Sequence, residues 1–222
     1  AQMLPAWVAA VVVTAVVVVI WRHRDWRQPG HRGNAERLTL RPGFGLVGLI
    51  AALVLVLVLP NPAIPIVVAG VIVAGAQIVA GRVSLPTTTR AVNVPVLAGL
   101  FVSATVLGTV ARQWDGPARL MASLGSWATA WVGVGTASLI NNLPAAVLLS
   151  SRPPAHPRAL LIGLDLGPNL VITGSLSAIF WMRVARSERA TPSARTYTKV
   201  GLVLVPLSVA ASLVALSALA GG

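Results

Sequence analysis

The sequence predicts an all-α polytopic membrane protein with about six transmembrane helices and one re-entrant hairpin. Three observations carry this. The chain of 222 residues is 56% apolar and only 10% charged, against roughly 25% charged in an ordinary soluble domain. Phe44 to Gly81 contains no charged residue at all, and about 20 apolar residues are enough to cross a hydrocarbon core of roughly 30 Å. The Arg residues fall almost wholly in the short gaps between apolar runs, where membrane proteins hold their topology signals.

The spans read as 4–21, 44–60, 62–81, 91–111, 159–182 and 200–220. The first, Leu4 to Ile20, has no basic stretch before it and its positive charge after it, unlike a secretory signal. The chain opens at Ala1 without Met, so the expectation is a chain that begins midway through something longer. Loop 22–42 is basic, with Arg22, Arg24, Arg27, Arg32, Arg37 and Arg41, and Pro29, Gly30 and Gly33 give it the character of a linker. Pro60-Asn61-Pro62 separates the second and third spans, because proline cannot continue a helix there.

Segment 120–151 is uncharged but fits neither one span nor two, which need about 20 and about 40 residues. It fits a hairpin that enters the membrane, turns at Asn141-Asn142-Leu143-Pro144 and leaves on the same side. Irregular backbone at that depth is tolerated only when buried in protein or facing a watery cavity. With loop 22–42 cytoplasmic and the hairpin returning to its own side, loops 82–90 and 183–199 fall inside too. Of the 17 Lys and Arg residues, only Arg112, Arg119, Arg152 and Arg158 then lie opposite, as the positive-inside rule requires. Two complete short spans satisfy the same parity.

The net charge of +12 does not indicate nucleic acid, since the basic residues are not gathered on one face of a soluble fold. The absence of cysteine excludes disulfides, thiolate metal sites and cysteine nucleophiles. His23, His31 and His156 share no spacing, so no metal site is expected. No enzyme motif and no cofactor motif is present. Trp114, Trp127, Trp131 and Trp181 read as interface anchors or packing, and Gln77 as a helix–helix hydrogen bond.

Two constellations remain. Asn142, with Pro144 two positions later and Asn141 beside it, suits the cap of a half-helix that starts inside the membrane and points its free N–H groups at a solute. The bland reading is a tight turn between ordinary spans. The second is Gly163-Leu164-Asp165-Leu166-Gly167-Pro168-Asn169 with Thr173, Gly174, Ser175 and Ser177. Gly167-Pro168 breaks the helix, and Asn169, Thr173 and Ser175 offer polar groups around the break. Asp165 is the only acidic residue within a span. A carboxylate there is costly unless protonated, paired or facing water. It reads either as a proton carrier or as a structural group that caps a half-helix or pairs with an Arg. Gly163 and Gly167 also match the small-xxx-small packing pattern; with Pro168 directly after, backbone clearance at a break is the expected role.

Ser138-Leu139-Ile140-Asn141-Asn142-Leu143-Pro144, then Gly163 to Asn169, then Gly174-Ser175-Leu176 and Trp181, resemble the C-terminal half of the arsenite/antimonite efflux permeases. That family belongs to the ion-transporter superfamily, with sodium/dicarboxylate cotransporters and certain sodium/proton antiporters. The resemblance is strongest over 90–220. It implies one inverted repeat of a two-repeat transporter, each repeat bearing a re-entrant hairpin and a helix unwound at mid-membrane. On this comparison 1–21 is the last span of a missing first repeat, 22–42 a cytoplasmic linker and 43–222 the second repeat. Hairpin 120–151 then lies beside the broken helix 159–182, unwound at 163–169. The implied activity is export of arsenite or antimonite across the cell's inner membrane in exchange for protons. Asn141, Asn142, Gly167, Asn169, Thr173 and Ser175 would hold the solute, and Asp165 the coupling proton. Many arsenite permeases carry Lys where Asn169 stands and Pro-Ile-Gly-Ser where Ile172 to Ser175 stand, departures that bear on substrate more than on fold. The alternatives are another carrier of the superfamily, for an organic anion or for sodium against protons, or a non-transporting membrane subunit that docks a cytoplasmic ATPase through loop 22–42.

Overall fold

The computed structural model describes residues 3–26, 44–86, 94–187 and 190–220, and among them every regular element is helical. Helix α1 is Leu4–Trp26, α2 Phe44–Val58, α3 Ala63–Val79 and α4 Val94–Gln113. Then come α5 Gly116–Ser123, α6 Ser126–Ile140, α7 Asn142–Leu149 and α8 Pro157–Leu166. Two 3-10 turns, Gly167–Asn169 and Ile172–Gly174, lead into α9 Leu176–Ser187 and α10 Ala194–Ala220.

Three stretches are long and apolar enough to cross a membrane: Leu4–His23, Val94–Gln113 and Ala194–Ala218. The two apolar stretches Gly45–Val58 and Ala63–Val79 are shorter. Leu57 is 76% exposed, Ile64 77% and Val79 89%, and α3 buries no residue. Apolar faces this bare require hydrocarbon rather than water around them. The chain is a membrane protein.

Contacts divide it into two compact units, 1–28 with 99–222, and 29–98. These cut across the segmentation by repeat into 1–21, 22–42 and 43–222. Most of linker 22–42 and part of loop 82–90 lie outside the described residues, while Arg22 and His23 already sit on α1.

The core of the larger unit sets alanines against branched aliphatic side chains. Ala130, Val134, Ala159 and Ile162 meet Val205, Val209 and Leu213 of α10 and Ala6 of α1. Lipid offers no hydrophobic gain for helix pairing, so close backbone approach through small residues takes its place. The Ser212 hydroxyl of α10 donates to Ala6 O of α1 at 2.9 Å, joining the two helices inside that core.

Two expectations change. Segment 120–151 is not one piece, because α5 takes its first residues. Leu124 and Gly125 are extended, at ψ 142° and 170°, and helix resumes only at Ser126. The broken helix also unwinds later than 163–169. Regular helix runs through Leu166, and the irregular stretch is 167–175. Pro168 has no N–H for the carbonyl of Leu164 and its ring crowds that turn, so the helix ends at the residue before the proline rather than at Gly163.

Candidate solute site at the hairpin turn and the helix break

Asn141 stands between α6 and α7 at φ 74°, ψ 157°, the one non-glycine residue with positive φ among those described. With ψ at 157° this lies outside the left-handed helical region that asparagine tolerates, in backbone space otherwise held by glycine, so the turn is strained at Asn141. Its carbonyl Oδ1 accepts a long bond from Leu143 N at 3.4 Å, and its Nδ2 donates to Gly174 O at 3.0 Å. The N-cap of α7 is therefore Asn141, whereas the Pro144 spacing pointed to Asn142. Pro144 falls at the third helical position, where its missing N–H leaves no intrahelical bond unmade.

One helical turn earlier, the Ser138 hydroxyl lies 2.7 Å from Val134 O and 2.7 Å from Gly167 O. Its single proton can go to either carbonyl. Ser138 and Asn141 thus fasten α6 to both ends of the break. Glycines make the approach possible. A Cβ on Gly167 would stand 2.7 Å from Val134 O, and one on Gly174 2.8 Å from Ser138 O. One on Gly163 would collide with the Ala130 carbonyl. Gly163 and Gly167 are therefore packing positions against α6, which corrects the expectation of clearance at a break alone.

α10 closes the other side of the unwound stretch. A Cβ on its Gly201 would lie 2.5 Å from the carbonyl oxygens of Asn169 and Leu170. The Ser175 hydroxyl accepts from Ala178 N at 3.2 Å, capping α9, and pairs with the Tyr197 hydroxyl of α10. Since Asn141 bonds the residue just before Ser175, the N-termini of α7 and α9 meet at this point. The carbonyl end of α8 is turned to Ser138. A surface with two helix N-termini is rich in N–H donors and favours oxygen-bearing or negatively charged groups.

The predicted site residues thus divide. Asn141, Gly167 and Ser175 are spent on the joint between hairpin and break. Asn142, Asn169 and Thr173 are exposed and make no side-chain hydrogen bond among the described residues. Asp165 stands apart. It borders a small cavity of about 130 Å³ with Met3, with Ala6, Trp7 and Ala10 of α1 and with Ser212 of α10. It caps no helix start, being in the last turn of α8, and no basic side chain pairs with it among the described residues.

Ser138, Tyr197 and Gly201 were not predicted as site residues. Ser138 was within reach of the sequence, lying one turn before Asn141. Tyr197, the chain's single tyrosine, and Gly201 needed the position of α10. Set against family models, curated proteins and solved structures, the chain matches none.

Proposed function

We propose that this chain forms half of the solute path of a secondary transporter in the cell's inner membrane, exporting arsenite or antimonite in exchange for protons. One observation carries the reading: Asn141 and Ser138 bond a helical turn to an unwound stretch, leaving Asn142, Asn169 and Thr173 unspent beside two helix N-termini. Arsenite near neutral pH is an uncharged trihydroxide. Amides, hydroxyls and backbone N–H groups suit it, and the absence of cysteine lets it leave again. In this reading 126–149 is the re-entrant hairpin, and an inverted counterpart of hairpin and break completes the path.

The paired helix N-termini also favour a second reading, an organic anion as the solute. Both are tested in everted vesicles from cells expressing the gene that encodes this chain. The expected result is arsenite accumulation driven by an imposed pH gradient, lost in Asn142→Ala at equal membrane levels. Accumulation of a dicarboxylate but not of arsenite assigns the second reading. Gradient-independent traces for every solute overturn transport altogether.

A further inference from the structure

The unwound stretch 167–175 is clamped from two sides. Toward the hairpin, Gly174 O accepts from the Asn141 amide at 3.0 Å, and Gly167 O faces the Ser138 hydroxyl at 2.7 Å. Toward α10 the contact is a hydroxyl pair, Ser175 with Tyr197. Within the stretch the bonds are at the long end of the ordinary range: Gly174 N to Val171 O at 3.1 Å and Ser175 N to Ile172 O at 3.2 Å. Exposed Thr173 lies among them. A stretch bonded this weakly within itself takes its shape from the clamps.

Helix geometry places Tyr197. It lies four residues before Gly201, and residues so spaced share a helix face. Gly201 sits against the break, since a Cβ there would stand 2.5 Å from the carbonyl oxygens of Asn169 and Leu170. Val205 and Val209 continue the face into the core. The first turn of α10 is fixed at its start by Ser193, whose hydroxyl accepts from Thr196 N at 3.3 Å. The half-buried Tyr197 ring thus carries its hydroxyl to Ser175. Ser175 Oγ has two lone pairs and one proton. One lone pair accepts from Ala178 N and so starts α9. A serine hydroxyl with no second partner is free to rotate out of that bond, and Tyr197 supplies the second partner.

We propose that Tyr197 is a positioning residue of the solute site, an inference that rests on reading the break as such a site. It acts through Ser175 to hold the start of α9, and thereby orients Thr173 and Asn169 toward the solute without touching the solute itself.

Tyr197 is the chain's single tyrosine, so 3-fluorotyrosine gives one fluorine resonance. In the purified protein Ser175→Ala should move that line, and Ser177→Ala, two residues on and exposed, should not. An unmoved line in Ser175→Ala overturns the inference whatever the protein transports. Everted vesicles then test the role. Tyr197→Phe keeps the ring and removes the hydroxyl. Its KM for arsenite, or for a dicarboxylate where that is the solute, should rise about three- to tenfold at unchanged maximal rate and membrane level. Ser175→Ala should raise KM too, and adding Tyr197→Phe to it should change nothing further. A wild-type KM in Tyr197→Phe, while the wild-type protein pumps solute, overturns the inference and leaves the transport reading standing. So do additive effects of the two substitutions, which make Tyr197 independent of Ser175, and so does a lower maximal rate at unchanged KM, which makes the pair merely structural. Absence of flux in the wild-type protein ends the transport reading and this inference with it.

Discussion

Replacing Gly167 with alanine tests the contact on which the proposed site depends. Gly167 has φ −53°, ψ −46°, helical angles that a side chain directly before Pro168 adopts at some cost, so the perturbation is the added methyl group against α6 together with that local strain. The methyl group would lie 2.7 Å from Val134 O and 2.8 Å from Val134 Cα, both backbone atoms that cannot rotate away. Ordinary contact begins near 3.4 Å, so α6 must recede by about 0.7 Å. Overpacking of this kind costs about 1–3 kcal/mol. The same movement stretches the Ser138 bond to Gly167 O, now 2.7 Å, and interhelical hydrogen bonds in membranes contribute about 0.6 kcal/mol on average, up to about 1.7. The expected loss is about 2–4 kcal/mol. Gly135 is the control: it lies on the same α6 but faces open space, where an added methyl group would meet nothing within 4 Å. Gly135→Ala should gain up to about 1 kcal/mol from helix propensity. Unfolding both variants from mixed micelles with dodecyl sulfate, followed by circular dichroism, gives the two numbers. A Gly167→Ala protein within about 0.5 kcal/mol of wild type, or equal losses in both variants, would refute the close approach.

The two asparagines should separate. Asn141→Ala should lose about 2 kcal/mol, from the cap, the Gly174 bond and the positive φ, while Asn141→Gly recovers about 1 kcal/mol of it. Asn142→Ala should unfold within about 0.5 kcal/mol of wild type yet lose arsenite flux; the same unfolding titration and the vesicle assay read both. For topology, Ala155→Cys should react with an impermeant maleimide in intact cells and Ser193→Cys only after permeabilisation, a clean comparison in a chain without native cysteine; labelling of Ser193→Cys from outside would invert the arrangement. Asp165→Asn should keep solute exchange across vesicles but fail to accumulate solute under a pH gradient, and wild-type accumulation would remove Asp165 from coupling.

What the sequence made legible was whatever has a local cause. Charge-free runs announce hydrocarbon, Asn-Asn-Leu-Pro announces a turn, and Gly-Pro announces a break. The cap falls on Asn141 rather than Asn142, and the spacing could not show it: Pro144 is acceptable at several positions of a first turn, and only the φ of Asn141 decides among them. The end of helix α5 was hidden because the extended Leu124 and Gly125 carry neither proline nor charge, although Asp115 and Pro117 mark its start. The side Asp165 takes was nearly legible. Gly163 and Gly167 are one helical turn apart and share a face, and Asp165, midway between them, must lie on the other. Deciding that the glycines face α6 required the packed structure.

That placement reshapes the transport reading. Solute groups and acid were expected around one point, yet α8 holds them on opposite sides: glycines and the Ser138 bond toward α6, Asp165 toward α1 and α10. The two sides are joined through hydrogen bonds and close backbone contacts. Ser138 and Asn141 lock the break to the hairpin, Gly201 locks it to α10, and Ser212 locks α10 to α1. Direct competition between proton and solute for one carboxylate is therefore a poor fit to the geometry. A different coupling rule follows from its surroundings. Asp165 is an exposed acid among mostly apolar neighbours, and an ionised carboxylate is expensive in hydrocarbon where its neutral form is cheap. Under the proposed function, the charge on Asp165 governs where the whole unit can sit in the membrane, while the solute rides at the other face of the same helix.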